Sequence, residues 1–359
     1  MDAGVELDGA LAEARDVMRA WDVANTDWSL AGALPGASGT VMRPVITLGG
    51  EQYVLRRLPD DLRDEAARFR HDFARHLRVA QIPVPDLLAT ATGRTWVSAR
   101  GGRYEAQAWL PGEPFLSASP HSGAWLAAAG EMLGELHQAS ADYTGRPLSM
   151  PDERSVGMIA RASIELLAQT ADRGELTPQM AQTLHEIADA CRAGIEGLTA
   201  LADAPAIHIH GDYQPHHLAF DATRVVAVYD LDATHLAPRV VELAYAVLTF
   251  TGLDWGDQPG WTPPLAPDGL DVLRVRRFLG AYGAVAPPAP GEAALLVEAI
   301  GVVLPIVLAN AALEDIVFPN DFGGEPDEDD MRARLYWATS LWLWLDRYRD
   351  MLAQAWEGA

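Results

Sequence analysis

The sequence contains no lysine, so all 27 of its basic side chains are arginine. Histidine aside, any side-chain cation that meets a phosphate must then be a guanidinium, which keeps its charge and can grip two oxygens at once. Cysteine is almost absent: Cys191 stands alone, which excludes an intramolecular disulfide and suits a reducing compartment. Its spacing with Met180, Leu184, Ile187, Ile195 and Leu198 places it on the apolar face of an expected helix over 178–200. Long apolar runs are also missing; the most apolar stretch, 299–309, is too short to span a bilayer and contains Pro305. Residues 1–22 carry Leu7, Leu11, Ala14, Met18 and Trp21 at helical spacing with charges between them, the pattern of an amphipathic helix and not of a secretion signal. Positive charge is scarce against 50 acidic residues, and the net charge of −23 argues against nucleic acid or an anionic membrane surface as partner while fitting a cationic small molecule. A soluble, cytoplasmic protein is expected. With 359 residues, 49% of them hydrophobic and 21% charged, the chain can bury one large core or two lobes.

What the sequence does contain is a pair of acids at a telling distance. His210-Gly211-Asp212 follows the apolar segment Ala206 to Ile209, and Asp230 ends the next apolar run, Val225 to Tyr229. The tripeptide alone reads as an ordinary polar turn. Two carboxylates so placed, one in a loop and one at a strand exit, suit phosphoryl transfer: one can receive or orient a substrate hydroxyl while the other holds Mg²⁺ against a triphosphate.

The stretch from His210 to Phe220, the run Val226 to Asp232, and Pro238-Arg239-Val240-Val241-Glu242-Leu243-Ala244 together resemble the aminoglycoside phosphotransferase and choline kinase family of small-molecule kinases. Earlier segments extend the resemblance: Tyr53-Val54-Leu55-Arg56 is similar to the third strand of the family's small lobe, Trp109-Leu110-Pro111-Gly112-Glu113-Pro114 to the segment past its hinge, and Leu133-Gly134-Glu135-Leu136-His137 to its next helix. The resemblance implies an α+β, bilobal protein-kinase-like fold, with a small antiparallel-sheet lobe over 1–106 and a mostly helical lobe over 107–359. It implies Asp212 as catalytic aspartate, Asp230 as metal aspartate, ATP or GTP as phosphoryl donor, and Mg²⁺ as the ion, with Mn²⁺ as the alternative. Trp109 and Leu110 are the implied nucleotide contacts of the hinge segment.

Two departures from the family pattern matter. Where the family carries Asn for a second metal ion, this chain has His217; it either holds substrate or phosphate by hydrogen bonds, or binds an ion such as Mn²⁺, or marks lost activity, since imidazole prefers softer metals than Mg²⁺. His216 beside it reads as a loop residue. In place of a phosphate-binding lysine stands arginine. Alternation along the strand lets only one of Arg56 and Arg57 face the cleft, and the resemblance selects Arg56. Ahead of that strand the small residues Gly36 to Thr40 can let backbone N–H groups approach phosphate, with Ser38 and Gly39 as candidates. The helix that follows packs Leu62, Ala66, Phe69, Phe73 and Leu77 on one face but offers no Glu where the family pairs one with the phosphate cation, so that partner stays unassigned.

Asp321-Phe322-Gly323 spells a protein-kinase metal motif but sits among Pro, Gly and acids with no strand leading in, and reads as a solvated loop. The acceptor site is expected in the segment from Asp254 to Trp261, where Asp254 and Asp257 would pair with an amine and Trp261, like Trp255, would stack on a ring or cation. The tryptophan row of the last helix reads as packing. The expected function is phosphoryl transfer to a hydroxyl of a polar small molecule, aminoglycoside-, amino sugar-, choline- or homoserine-like. The alternative is a catalytically inactive nucleotide-binding or sensing protein of the same fold, motivated by His217 and the missing helix Glu. A protein-directed kinase is disfavoured because no Ala-Pro-Glu follows Asp230.

Overall fold

A computed structural model of the chain describes residues 3–23, 26–35, 42–145, 156–172, 176–257, 269–317 and 328–358. Gly36 to Thr40, with the candidates Ser38 and Gly39, the Asp321-Phe322-Gly323 decoy and Trp261 lie outside the described residues. The chain divides after Pro111 into two compact units.

The first unit comprises α1 (Ala3–Ala20), β1 (Trp28–Pro35), β2 (Met42–Leu48), β3 (Glu51–Arg57), α2 (Asp64–Val79), β4 (Val97–Ala99) and β5 (Gly102–Ala108). Its five strands make one antiparallel sheet in the order β1-β2-β3-β5-β4. Gly49 and Gly50 close the β2–β3 hairpin, both at positive φ (61° and 92°), a backbone that glycine adopts without steric cost. Period-two alternation then sorts the side chains. Ile46, Leu55, Tyr104 and Ala106 form a core with Ala14, Val17, Met18 and Trp21 from the α1 segment. Arg56 and Glu105, directly opposite in the β3–β5 register, take the other face, against His71 of α2. The apolar face of α2 buries Ala67, Phe69, Phe73 and Leu77, while Leu62 precedes the helix and joins Leu58, Ala67 and Trp96.

The second unit is mostly helical: β6 (Glu113–Pro114), α3 (Ser122–Ala141), α4 (Val156–Asp172), α5 (Pro178–Gly194), α6 (Leu198–Leu201), β7 (Ala206–Ile209), β8 (Leu218–Asp221), β9 (Arg224–Val228), β10 (His235–Pro238), α7 (Arg239–Gly252), α8 (Val272–Val285), α9 (Leu295–Val317) and α10 (Glu328–Glu357). Strands β6, β8 and β9 form one small sheet, and β7 pairs with β10. Helices α3 and α8 approach closely because Gly130 and Gly134 carry no side chain: a Cβ on Gly130 would lie 2.3 Å from the Phe278 carbonyl oxygen. The apolar run noted in sequence is the middle of α9, buried beneath α4 and α7. No described helix is long and apolar enough to cross a membrane.

One helix expectation needs correction. The helix expected over 178–200 ends at Gly194; Ile195–Gly197 form a 3₁₀ turn before α6. Two glycines allow close approach to α9 there, a Cβ on Gly197 meeting the Glu298 carbonyl oxygen at 3.1 Å, and glycine weakens the helix at the same point. Cys191 is buried on α5, and burial pushes its thiol up to about 12. In α10, Trp337 and Trp344 are buried and the Trp337 indole donates to the Gly269 carbonyl, so this row is packing.

Candidate active site

The loop after β7 is built around one buried carboxylate. Glu242, in the first turn of α7, accepts hydrogen bonds from the backbone N–H of His210 (3.0 Å) and of Gly211, and from His137 Nε2 of α3 (2.9 Å). Burial opposes its ionisation, but His137, His210 and the Gly211 N–H together outweigh that and hold the carboxyl below its ordinary value. His137 is itself fixed by the Tyr282 hydroxyl at 2.9 Å. Gly211 stands at φ 87°, and a Cβ there would come within 2.1 Å of the Ala233 carbonyl oxygen, so the turn requires glycine.

His210 ties this loop to the next. Its Nε2 donates to the Tyr229 carbonyl (2.8 Å) and its Nδ1 accepts from the Asp212 N–H (3.3 Å). Burial lowers its pKa, in keeping with the neutral ring that this pattern of donor and acceptor requires. A second tie runs from the Tyr229 N–H to the His217 carbonyl at 2.8 Å.

These ties bring Asp212, His217 and Asp230 together. Asp212 Oδ1 accepts from the Tyr245 hydroxyl (2.7 Å) and from Gln214 Nε2 (3.0 Å). His217 stacks on His210 with ring centroids 5.9 Å apart, and its Nδ1 donates to the Asp212 carbonyl at 2.7 Å. On the other side of the ring, Nε2 lies 3.8 Å from Asp230 Oδ2. Asp230 holds a left-handed backbone (φ 58°, ψ 66°), an uncommon and costly conformation for a residue with a side chain, and its Oδ1 accepts from the Asp232 N–H at 3.3 Å. The Asp212 and Asp230 side chains remain 35% and 39% exposed, open to a ligand.

The segment after α7 abuts this loop. Trp255 packs edge-on against His216, ring centroids 4.3 Å apart. The expectation that Trp255 would stack on a ligand is corrected: it is fully buried, and its indole donates to the Thr249 carbonyl at 2.8 Å. Asp254 caps a turn by accepting from the Gly256 N–H, and Asp257 is exposed.

In the first unit, Arg56 Nε lies 2.9 Å from Glu105 Oε1, whereas Arg57 is half exposed and pairs with Asp60. Trp109 is 37% exposed and its N–H donates to the Gln52 carbonyl at 2.7 Å; Leu110 follows it. Sequence reasoning missed Tyr245, Glu105, His71 and the meeting of His137 with Glu242. One signal was available: Glu242 and Tyr245 stand three apart on one helix, hence on one face.

Residues 36–290, more than half of the chain, match the phosphotransferase enzyme family. No curated protein shows significant similarity to this sequence. Among solved structures, an aminoglycoside phosphotransferase from Alicyclobacillus acidocaldarius superposes with a TM-score of 0.63 at 16% identity over 96% of each chain. A choline kinase from Cryptosporidium parvum gives 0.60 at 12% identity, covering 96% of this chain and 97% of that one. An amicoumacin kinase in complex with AMP-PNP, Ca²⁺ and Ami gives 0.59 at 13% identity, covering 97% and 93%. At these identities the likeness shows the fold, which is protein-kinase-like.

Proposed function

The chain belongs to the phosphotransferase enzyme family and is a small-molecule kinase, and from that premise we propose that it transfers the γ-phosphoryl group of ATP to a hydroxyl of a polar small molecule. The observation that carries this reading is the pair of accessible carboxylates, Asp212 and Asp230, set on either side of the His217 ring. Asp212 orients the acceptor hydroxyl and takes its proton. Tyr245 and Gln214 hold Oδ1, which directs Oδ2 to that task.

Asp230 suits a hard divalent cation, because it offers carboxylate oxygens on a backbone fixed by its own turn. Among the described residues no group of three His, Cys, Asp or Glu is arranged to hold an ion alone, so an ion at Asp230 would take its remaining ligands from phosphate and water, as Mg²⁺ does. Mg²⁺, when bound with nucleotide, neutralises charge on the transferred group. His217, whose Nδ1 donates to the Asp212 carbonyl, presents Nε2 on the Asp230 side as a hydrogen-bond acceptor for a bound water or hydroxyl. Arg56 is the side chain in this reading that meets phosphate oxygens, Ser38 and Gly39 stay candidates for the same task by sequence, and Trp109 and Leu110 are the candidates to contact the base. Positioning and charge neutralisation supply most of the catalysis.

Asp254 and Asp257 favour an acceptor that carries a positively charged nitrogen, such as an aminoglycoside, amino sugar, choline or homoserine. The deciding experiment is Mg²⁺-dependent ATP turnover against a panel of these compounds. Phosphate transfer to one class names the acceptor; ATP binding without transfer to any of them would sink the reading.

A further inference from the structure

The first unit buries an ion-pair cluster around Arg56 in which the chemistry above gives Glu105 and His71 no part. Glu105 Oε1 lies 2.9 Å from Arg56 Nε and accepts from Gln107 Nε2 at 2.6 Å, while Oε2 meets His71 Nε2 at 2.9 Å. The other ring nitrogen of His71 meets the Thr95 hydroxyl. The Arg56 and Glu105 side chains are 11% and 3% exposed. Taking such charges out of water is costly, and a buried pair of this kind is weak evidence for stability. It does, however, hold a guanidinium in one orientation.

We propose that Glu105 is the positioning residue for Arg56: it aims the guanidinium at nucleotide phosphates, and His71 holds Glu105 in place from α2. The carboxylate comes from the strand paired with β3, directly opposite Arg56 in register, and not from the helix. The ion pair at Nε restricts where the guanidinium can lie, and a bidentate phosphate grip needs a guanidinium held in place. Burial opposes ionisation of Glu105, but Arg56, His71 and Gln107 keep its carboxyl below the ordinary value, so the pair stays charged at neutral pH. The proposal rests on the reading of Arg56 as the phosphate cation.

The test separates phosphate affinity from general integrity. Calorimetry with ATP and with adenosine is run on the full-length wild type, Glu105→Gln, Glu105→Asp, Arg56→Ala and the double variant Arg56→Ala/Glu105→Gln. Glu105→Gln should weaken ATP binding at least about tenfold while leaving adenosine binding within about twofold. Glu105→Asp, which keeps the charge and serves if Glu105→Gln does not fold, should recover part of that loss. The double variant should be no weaker than Arg56→Ala, because two residues acting through one contact are not additive. Equal losses for ATP and adenosine, additive losses in the double variant, or unchanged ATP affinity in Glu105→Gln would each overturn the proposal. Unchanged ATP affinity in Arg56→Ala would instead remove Arg56 from the phosphate site, and the proposal with it.

Discussion

Replacing Glu242 should disable the loop that carries Asp212 even though Glu242 touches no substrate. Its carboxylate is the acceptor for two backbone N–H groups and for His137, all inside the protein. Orphaning one buried donor costs about 1–3 kcal/mol, and breaking a buried charged contact by removing one partner costs about 3–5 kcal/mol. These figures describe overlapping events, so Glu242→Ala should lose about 3–5 kcal/mol in all, a large part of a typical stability of about 5–15 kcal/mol. Glu242→Gln keeps the shape and one acceptor oxygen but turns an amide toward a donor, and should lose somewhat less. Urea unfolding followed by tryptophan fluorescence reads the stability, and ATP turnover reads the loop. The pH sign follows from the depressed pKa: the contribution is complete above the unfolded carboxylate value of about 4.3 and is lost as pH falls through the lower folded value. Wild type should therefore lose more stability on acidification than Glu242→Gln does. In a double-mutant cycle, Glu242→Gln and His137→Ala should couple by at least about 1 kcal/mol. A Glu242→Gln protein as stable and as active as wild type would refute this account.

Asp212→Asn should leave ATP affinity within a few-fold while lowering turnover by at least about 10²-fold, since its roles act in the transition state; calorimetry and steady-state kinetics separate the two. His217→Asn should keep or raise Mg²⁺-supported turnover if His217 only donates and accepts hydrogen bonds. If imidazole is instead a metal ligand, wild type should favour Mn²⁺ over Mg²⁺ and the variant should move back toward Mg²⁺; loss of activity with both ions would give His217 a direct role with substrate. Cys191, the only thiol, should resist iodoacetamide in the folded protein because burial holds it near 12, and should label at the rate of unfolding; fast labelling of native protein would contradict its position on α5.

Much of the fold was legible because its signals are local. The β3 alternation, the α2 apolar face and the apolar run of α9 each follow from the side-chain period of one element, and the structure forms all three. The loop positions of Asp212 and Asp230 follow from the apolar strands β7 and β9 that precede them. The break after Gly194 was only half legible: two glycines weaken a helix there, but the apolar period continues past them, and packing on α9 decides that the helix ends. Trp255 carries the same ambiguity: a tryptophan beside acids reads as a ligand platform until its indole is seen to bond inside the core.

The sequence by itself determined which chemical groups are available and in what order: two acids that each follow an apolar run, two histidines between them, arginine as the sole basic side chain apart from histidine, and one thiol. Only the tertiary structure decided their partners. Glu242 reaches His210 across 32 positions and His137 across 105, and Glu105 meets Arg56 because strand pairing sets them face to face. Side-chain period reports which face a residue takes within its own element. Which distant residue shares that face is set by how elements pack, and there the desolvation of buried charge demands a matching partner.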